Sequence, residues 1–162
     1  MQESANHLNK KTIIALISSL VVLSDFFTKK IIVSKVMFYE HIDVLPFLRI
    51  VHIENKGAAF GMFSNLGNHI FIIISLIAIL FIIMYLLRIP KGLELYSLSL
   101  ILGGAIGNLL DRLRTGKVID FIDVYVNNWH WPAFNVADSA LTVGIAMFIW
   151  ANFMCIRRND AH

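Results

Sequence analysis

The chain has 162 residues, of which 57% are hydrophobic and only 15% are charged. Soluble domains carry about 25% charged residues, and a single core of this size cannot bury so much apolar surface. The composition therefore excludes a disordered chain, a collagen-like chain and an ordinary water-soluble globule. The net charge of +3 comes from scattered basic residues, so we expect no nucleic-acid partner. We predict a single integral membrane domain over residues 1–162.

Four apolar stretches are long enough to cross a bilayer as helices. Residues 70–87 are eighteen residues without a charge, which as a helix span roughly 27 Å. The other candidates are residues 12–33, 93–110 and 133–156. The start of the chain imitates a secretory signal peptide, but no small-x-small cleavage site follows, so we expect a retained first helix. The predicted fold is a mainly α membrane protein with four transmembrane helices.

An even number of spans places both termini on one side of the membrane. The connections over residues 34–69 and 111–132 then lie together on the other side. Basic residues are retained on the cytoplasmic side of short loops. Their number does not decide the orientation, because six Lys and Arg residues lie on the side of the termini and eight elsewhere, but the six lie in short segments next to the spans. The high local density of basic residues next to the spans favours cytoplasmic termini.

The long first connection has a pattern of its own. Residues 47–53 (FLRIVHI) are typical of a short strand, and residues 57–63 (GAAFGMF) resemble an apolar interfacial segment. We therefore expect a small extramembrane β-sheet that rests on the membrane surface.

Several ionisable side chains lie within or beside the predicted spans, where they are costly unless they pair or function. Asp25 and Lys29 are four residues apart in the first helix, a spacing at which opposite charges meet. Asn108, Asp111 and Arg112 share one face at the end of the third helix, where nearby glycines permit close helix approach. These groups form either an ion pair and a helix-end network, or the lining of a site.

The remaining polar residues belong to the same face of the membrane. Asp120 lies in KVIDFID, Asn135 and Asp138 lie in PAFNVADS, and Asn55 and Gly57 lie in ENKGAAFG. Four spans place all of these segments on one side, whereas the opposite turn, RIPKG, carries no such motif. This convergence indicates a functional site.

Two carboxylates at a membrane boundary suggest general acid and base chemistry. Two nearby aspartates in a low-dielectric site tend to share one proton, and aspartic proteases use such a pair to cut amide bonds. The alternative is that Asp120 caps or pairs with Arg112, while Asp138 merely caps the fourth helix. Asp123 competes with Asp120 for the same role.

Two other functions remain open from spacing alone. A small transporter or proton channel subunit would use the same carboxylates to relay ions, and a purely structural membrane protein would leave their convergence unexplained. The chain has no nucleophile elbow, zinc-protease helix, phosphate-binding loop or dinucleotide fingerprint. Its six histidines are dispersed, so we expect no metal and no cofactor.

Five motifs, SDFFTK, NKGAAFG, GNLLDR, VIDF and FNVADS, follow one another over almost the whole chain. In these motifs the sequence resembles the bacterial lipoprotein signal peptidases, also called signal peptidase II. Members of that family are membrane aspartyl proteases that remove the signal peptide from lipid-modified prolipoproteins. The resemblance implies cleavage before a diacylglyceryl-modified cysteine.

The resemblance also implies roles for individual residues. Asp120 and Asp138 correspond to the catalytic pair, which makes Asp123 a neighbour rather than a catalyst. The positions that support the site or contact substrate are Asp25, Lys29, Asn55, Gly57, Asn108, Asp111, Arg112 and Asn135.

The same resemblance implies a location and partners. It places the chain in the bacterial cytoplasmic (inner) membrane with cytoplasmic termini and an active site towards the outer leaflet. It adds an interfacial helix to the small sheet of the first connection. The expected partners are a lipid-modified prolipoprotein and membrane lipid, and we expect the chain to act as a monomer without a cofactor.

Overall fold

The computed structural model describes residues 9–57, 62 and 67–159. Over these residues the secondary structure elements are α1 (Lys10–Lys35), β1 (His41–Leu45), β2 (Leu48–Asn55), α2 (Asn68–Arg88), α3 (Leu93–Thr115), β3 (Val118–Val126), β4 (Trp129–His130) and α4 (Val136–Asn159). The predicted interfacial segment, residues 57–63, lies outside the described residues except at Gly57 and Met62.

The prediction of four membrane-spanning helices is confirmed. All four helices are long and apolar enough to cross a bilayer. The most apolar, α2, has a mean hydropathy of 3.2, and Leu86 is its only buried side chain. Exposed apolar surface on this scale requires lipid as the surrounding solvent. The chain is therefore a multi-pass membrane protein.

The third helix is longer than predicted. It continues to Thr115 and ends where Gly116 adopts a left-handed conformation with φ of 76°, which glycine accommodates without steric cost. Asp111 and Arg112 therefore lie in the last turns of α3, at the end of the helix where the sequence predicted them.

Helix α3 lies at the centre of the bundle and packs against the other three helices. Its glycines allow this close contact, as the sequence predicted. A Cβ atom on Gly104 would lie 2.5 Å from the carbonyl oxygen of Ala137 in α4. A Cβ atom on Gly107 would lie 2.9 Å from Oδ2 of Asp25 in α1. The backbone of α3 therefore approaches both neighbours more closely than a larger residue would permit.

The two connections on one side of the bundle form a single antiparallel sheet with the order β1-β2-β3-β4. The predicted strand over residues 47–53 corresponds to β2, whereas β3 was not predicted. The string KVIDFID is thus largely a strand, and Ile53 pairs with Asp120 while Arg49 pairs with Asp123. The predicted small sheet is present, but both connections contribute to it.

Contacts with α1 fix the sheet at one end of the bundle. Phe121 of β3 packs against Ile32 and Val36 near the end of α1. His52 of β2 donates a hydrogen bond from Nδ1 to the Val36 carbonyl oxygen at 2.9 Å. At the start of α1, Lys10 donates to the Ile89 carbonyl oxygen in the turn between α2 and α3. The sheet and this turn therefore lie at opposite ends of α1.

We expect Gly104→Ala to lower the thermal unfolding temperature of the purified protein. The new methyl group must displace the backbone of α4, and overpacking of this kind costs about 1–3 kcal/mol, which outweighs the helix propensity that alanine gains. Gly92→Ala is the matched control, because a Cβ there meets nothing within 4 Å and its φ of 163° is extended backbone. Equal unfolding temperatures for the two variants would contradict the close approach of α3 and α4.

Candidate active site

Asp120 lies on β3 and is only 3% exposed. Its Oδ2 accepts a hydrogen bond from Asn55 Nδ2 at 3.0 Å, and its Oδ1 accepts one from Asn135 Nδ2 at 2.7 Å. Asn55 ends β2 and Asn135 precedes α4. Amides from two different elements therefore fix this carboxyl group.

Asp138 lies in the first turn of α4. The Asn135 Oδ1 atom accepts from the Asp138 backbone N–H at 2.9 Å, and Asp138 Oδ2 accepts from the Asn135 backbone N–H at 3.2 Å. These reciprocal bonds form a capping box. Asp138 Oδ1 accepts from Asn108 Nδ2 at 2.7 Å. Asp138 therefore caps the helix with one oxygen, as the alternative interpretation expected, while the other oxygen contacts α3.

Asn135 connects the two aspartates. Its side chain is fully buried, its oxygen serves the cap of α4, and its nitrogen donates to Asp120. The same nitrogen lies 3.3 Å from Asn108 Oδ1. One side-chain amide thus contacts the Asp120 carboxyl group and the backbone of Asp138.

Lys29 supports this arrangement from α1. Its ammonium group lies 2.6 Å from Asp25 Oδ2, 2.8 Å from Asp111 Oδ2 and 3.2 Å from Asn108 Oδ1. The predicted pair of Asp25 and Lys29 is present, but Lys29 also serves a second carboxylate. Asp25 Oδ1 accepts from the Ala137 backbone N–H at 2.9 Å, one of the N–H groups that the helix itself leaves unsatisfied. This network joins α1, α3 and α4.

Arg112 lies beside the aspartates without an ion pair to either of them among the described residues. Its Nη2 donates to the Gly57 carbonyl oxygen at 2.9 Å, and its Nη1 lies 3.4 Å from the Asn108 carbonyl oxygen. The pairing of Asp120 with Arg112 that the sequence left open is therefore not the observed arrangement.

A cavity of about 630 Å³ brings the polar groups together. Its polar lining includes Asn55, Asn108, Arg112, Asp120 and Asp138. Apolar side chains from α4 and from residues 131–134 complete its wall. A second cavity of about 800 Å³ on the sheet side also reaches Asn55 and Asp120 but not Asp138. Of these two cavities, only the one of about 630 Å³ is lined by both aspartates.

The electrostatics of the cavity favour a proton on Asp120. Burial and then the negative charge of Asp138 raise the pKa of Asp120 to about 7, although hydrogen bonds from Asn55 and Asn135 and the charge of Lys29 oppose the rise. Asp120 therefore keeps its proton below a pH of about 7, far above the range in which an ordinary aspartate is protonated. Such a pair can act as a general acid and a general base.

The structure separates Asp123 from this cavity. Asp123 is three residues beyond Asp120 on β3, so the two side chains point to opposite faces of the strand. Its Oδ2 accepts from Arg49 Nε at 2.6 Å, and both of its oxygens lie 3.1 Å from His130 Nδ1. Asp123 therefore belongs to an ion-pair cluster on the sheet and does not line the cavity.

The ten candidate residues from the sequence are thus found around one end of the bundle. Sequence analysis did not single out Asn68 or Phe71, which contact Arg112 from α2. The signal for Asn68 in the sequence was its place two residues before the most apolar run. Among the described residues, no group of three or more His, Cys, Asp or Glu side chains is arranged to hold a metal ion.

Curated relatives resemble the chain over most of its length. A lipoprotein signal peptidase from Thermodesulfovibrio yellowstonii is 45% identical over 133 residues, which cover 82% of this chain and 89% of that relative. A lipoprotein signal peptidase from Syntrophotalea carbinolica is 44% identical over 146 residues, and the match covers 87% of this chain and 91% of that relative.

A solved structure described as a bacterial membrane enzyme has a TM-score of 0.81 and 35% identity to the chain, and the match covers 87% of each. The sequence profile of the family described as Signal peptidase (SPase) II matches residues 17–154. The chain therefore belongs to the signal peptidase II family, the lipoprotein signal peptidases.

Proposed function

We propose that this protein is a membrane aspartyl endopeptidase that removes signal peptides from diacylglyceryl-modified prolipoproteins by cleaving before the lipidated cysteine. Family membership supports peptidase activity on lipoprotein precursors. The observation that carries the aspartyl mechanism is that Asp120 and Asp138 line one cavity and are joined through Asn135.

In the proposed mechanism, the two aspartates activate a water molecule between them. The ionised carboxylate takes a proton from this water, whose oxygen attacks the scissile carbonyl carbon. The protonated carboxyl group donates its proton to the carbonyl oxygen. Collapse of the tetrahedral intermediate breaks the C–N bond, and a proton passes to the departing amine, so one water is consumed for each peptide bond. The step needs no metal.

The other polar residues have supporting roles in this proposal. Asn108 and Asn135 hold the carboxyl groups in place, and the network of Asp25, Lys29 and Asp111 holds Asn108 and the start of α4. A second group contacts the substrate backbone: Asn55 and Arg112 line the cavity that holds both aspartates, and Gly57 lines the second cavity beside it. Charges at this depth are costly unless they pair or function, which is consistent with such a division.

We also propose an orientation for the protein in the cytoplasmic (inner) membrane. Lys10, Arg88 and Lys91 lie at the end of the bundle opposite the sheet, which the positive-inside rule assigns to the cytoplasm. The termini are then cytoplasmic and the cavity faces the outer leaflet. One chain supplies all ten site residues, which supports a monomer formed by a single domain.

We expect Asp138→Asn to abolish cleavage and leave the fold intact. The amide keeps the size of the side chain and an oxygen that can accept from the Asn135 N–H, but it cannot exchange a proton with water or substrate. General acid and base catalysis contributes about 10²–10⁴-fold, so turnover should fall by at least about a hundredfold. The assay follows cleavage of a diacylated prolipoprotein, and of its unlipidated counterpart, by the purified chain in detergent.

Asp123→Asn is the matched control for this experiment, because Asp123 is buried and acidic yet lies outside the cavity. It should retain most of the wild-type turnover. Undiminished cleavage by Asp138→Asn would remove the aspartate pair from the mechanism.

We expect turnover to fall as the pH rises through about 7. The pKa of Asp120 is raised to about 7, so above that pH the pair loses the proton that the general acid must donate. The measurement is kcat over a pH range on both sides of neutrality. A rate that stays constant through the alkaline range would contradict the shared proton.

The same raised pKa has a consequence for stability. The folded state binds the Asp120 proton more tightly than the unfolded chain, whose aspartate has a pKa near 3.8. This stabilising effect is complete below pH of about 4 and is lost as the pH rises towards 7. Because Asp120→Asn does not titrate, the unfolding temperature of the wild type should fall relative to that of the variant across this interval.

We expect Asn135→Ser to separate the cap of α4 from the contact with Asp120. Serine also accepts the N–H bond at a helix N-cap, but it lacks the amide that donates to Asp120. Turnover should fall by at least about tenfold. In the wild type the hydrogen bond from Asn135 lowers the pKa of Asp120, so its removal should raise this pKa and move the alkaline limb of the pH profile to higher pH. Asn135→Ala also removes the cap and should lose about 1 kcal/mol more stability.

These measurements separate an active-site role from a purely structural one. If Asn135→Ser matches the wild type in both turnover and pH profile, Asn135 is only a helix cap.

A further inference from the structure

The Arg112 guanidinium is held from α2 as well as from the sheet side. Its Cζ atom lies 5.3 Å from the centre of the Phe71 ring, within the range of a cation–π contact. On its other side, Nη2 donates to the Gly57 carbonyl oxygen. The guanidinium is therefore fixed by a ring face and by a backbone acceptor.

The backbone of Arg112 is fixed by the same turn of α2. Asn68 Nδ2 donates to the Arg112 carbonyl oxygen at 3.0 Å, and the Gly116 N–H donates to the same oxygen at 3.1 Å. Asn68 and Phe71 are three residues apart in α2 and so lie on one face of that helix. The start of α2 thus contacts both the main chain and the side chain of Arg112.

A cation–π contact with a ring has a specific consequence for arginine. The attraction between the guanidinium and a ring face uses none of the N–H donors, so the contact with Phe71 leaves them available. Among the described residues, its hydrogen bonds engage Nη1 and Nη2 once each, out of five N–H donors. Arg112 lines the cavity that holds Asp120 and Asp138, so the remaining donors are available to peptide carbonyl groups there.

We propose that Phe71, together with Asn68, is a positioning residue that orients Arg112 to bind the backbone of the prolipoprotein in the cavity. This inference rests on the proposed function, in which Arg112 contacts substrate. Phe71 touches neither the aspartates nor the scissile bond and acts through the guanidinium. Its loss should therefore weaken substrate binding more than it slows the chemical step.

The test compares variants of Phe71 with a control on the same helix. Phe71→Leu keeps an apolar side chain but removes the ring, so KM should rise about fivefold to tenfold while kcat stays within about twofold. A binding interaction that is equal in the ground and transition states has this kinetic signature. Phe71→Trp keeps a ring face, the best partner for a cation, and should restore KM to near the wild-type value.

Phe81→Leu is the matched control, because Phe81 is 63% exposed on the apolar surface of α2. It should leave both kinetic constants unchanged. If Phe71→Leu fails to fold, Phe71→Met carries the same test with a flexible side chain of similar size. The unfolding temperature of each variant is measured alongside its kinetics.

Two results would overturn the inference: an unchanged KM for a folded variant that lacks the ring, or a Phe71→Trp variant as defective as Phe71→Leu. The second result would assign Phe71 to packing alone. The proposed function is tested separately by Asp138→Asn. If Asp138→Asn is inactive and Phe71→Leu is normal, only the positioning role fails, whereas an active Asp138→Asn removes the aspartate mechanism whatever Phe71 does.

Discussion

The side-chain amide of Asn135 is the contact on which the geometry of the site depends. Its oxygen closes the capping box with Asp138, and its nitrogen donates to Asp120 on β3. A helix terminus must satisfy its free N–H groups in any case. Here the residue that does so also donates a hydrogen bond to Asp120, and so holds this carboxyl group at the helix start that carries Asp138. The stability of the start of α4 and the arrangement of the cavity are therefore coupled through one residue.

The buried charges and the glycines of α3 are parts of one arrangement. Lys29 lies between Asp25 and Asp111, so the cation is shared by carboxylates from two helices. The Asp25 carboxylate occupies the space that a side chain at Gly107 would fill. Close approach of the helices thus brings the charges within hydrogen-bond distance, and their mutual satisfaction offsets the cost of placing them away from water.

The sequence predicted the parts of this structure that depend on local periodicity. The spans appear as long apolar runs, and the i, i+4 relation of Asp25 and Lys29 follows from helix geometry. The position of Asp120 on a strand was missed, because VIDFIDVYV lies in a short connection and its first four residues are all buried instead of alternating. Once the strand is known, the opposite directions of Asp120 and Asp123 follow at once.

The contacts of Arg112 with Gly57 and Phe71 join residues far apart in the chain, and no local pattern encodes them.

The cavity has one polar wall and one apolar wall, and this difference favours a substrate that is held in the membrane. Carboxyl and amide groups from β3, α3 and the start of α4 form one wall, whereas Leu141 and Val143, further along α4, contribute apolar side chains to the same cavity. Val143 is 52% exposed on a helix that is long and apolar enough to span the membrane, so the apolar wall continues into the surface that contacts lipid. A soluble peptide would have to leave water to reach this cavity. The proposed substrate, anchored by acyl chains and an apolar signal helix, would reach it along the membrane, so that only its peptide bond would have to meet the polar wall.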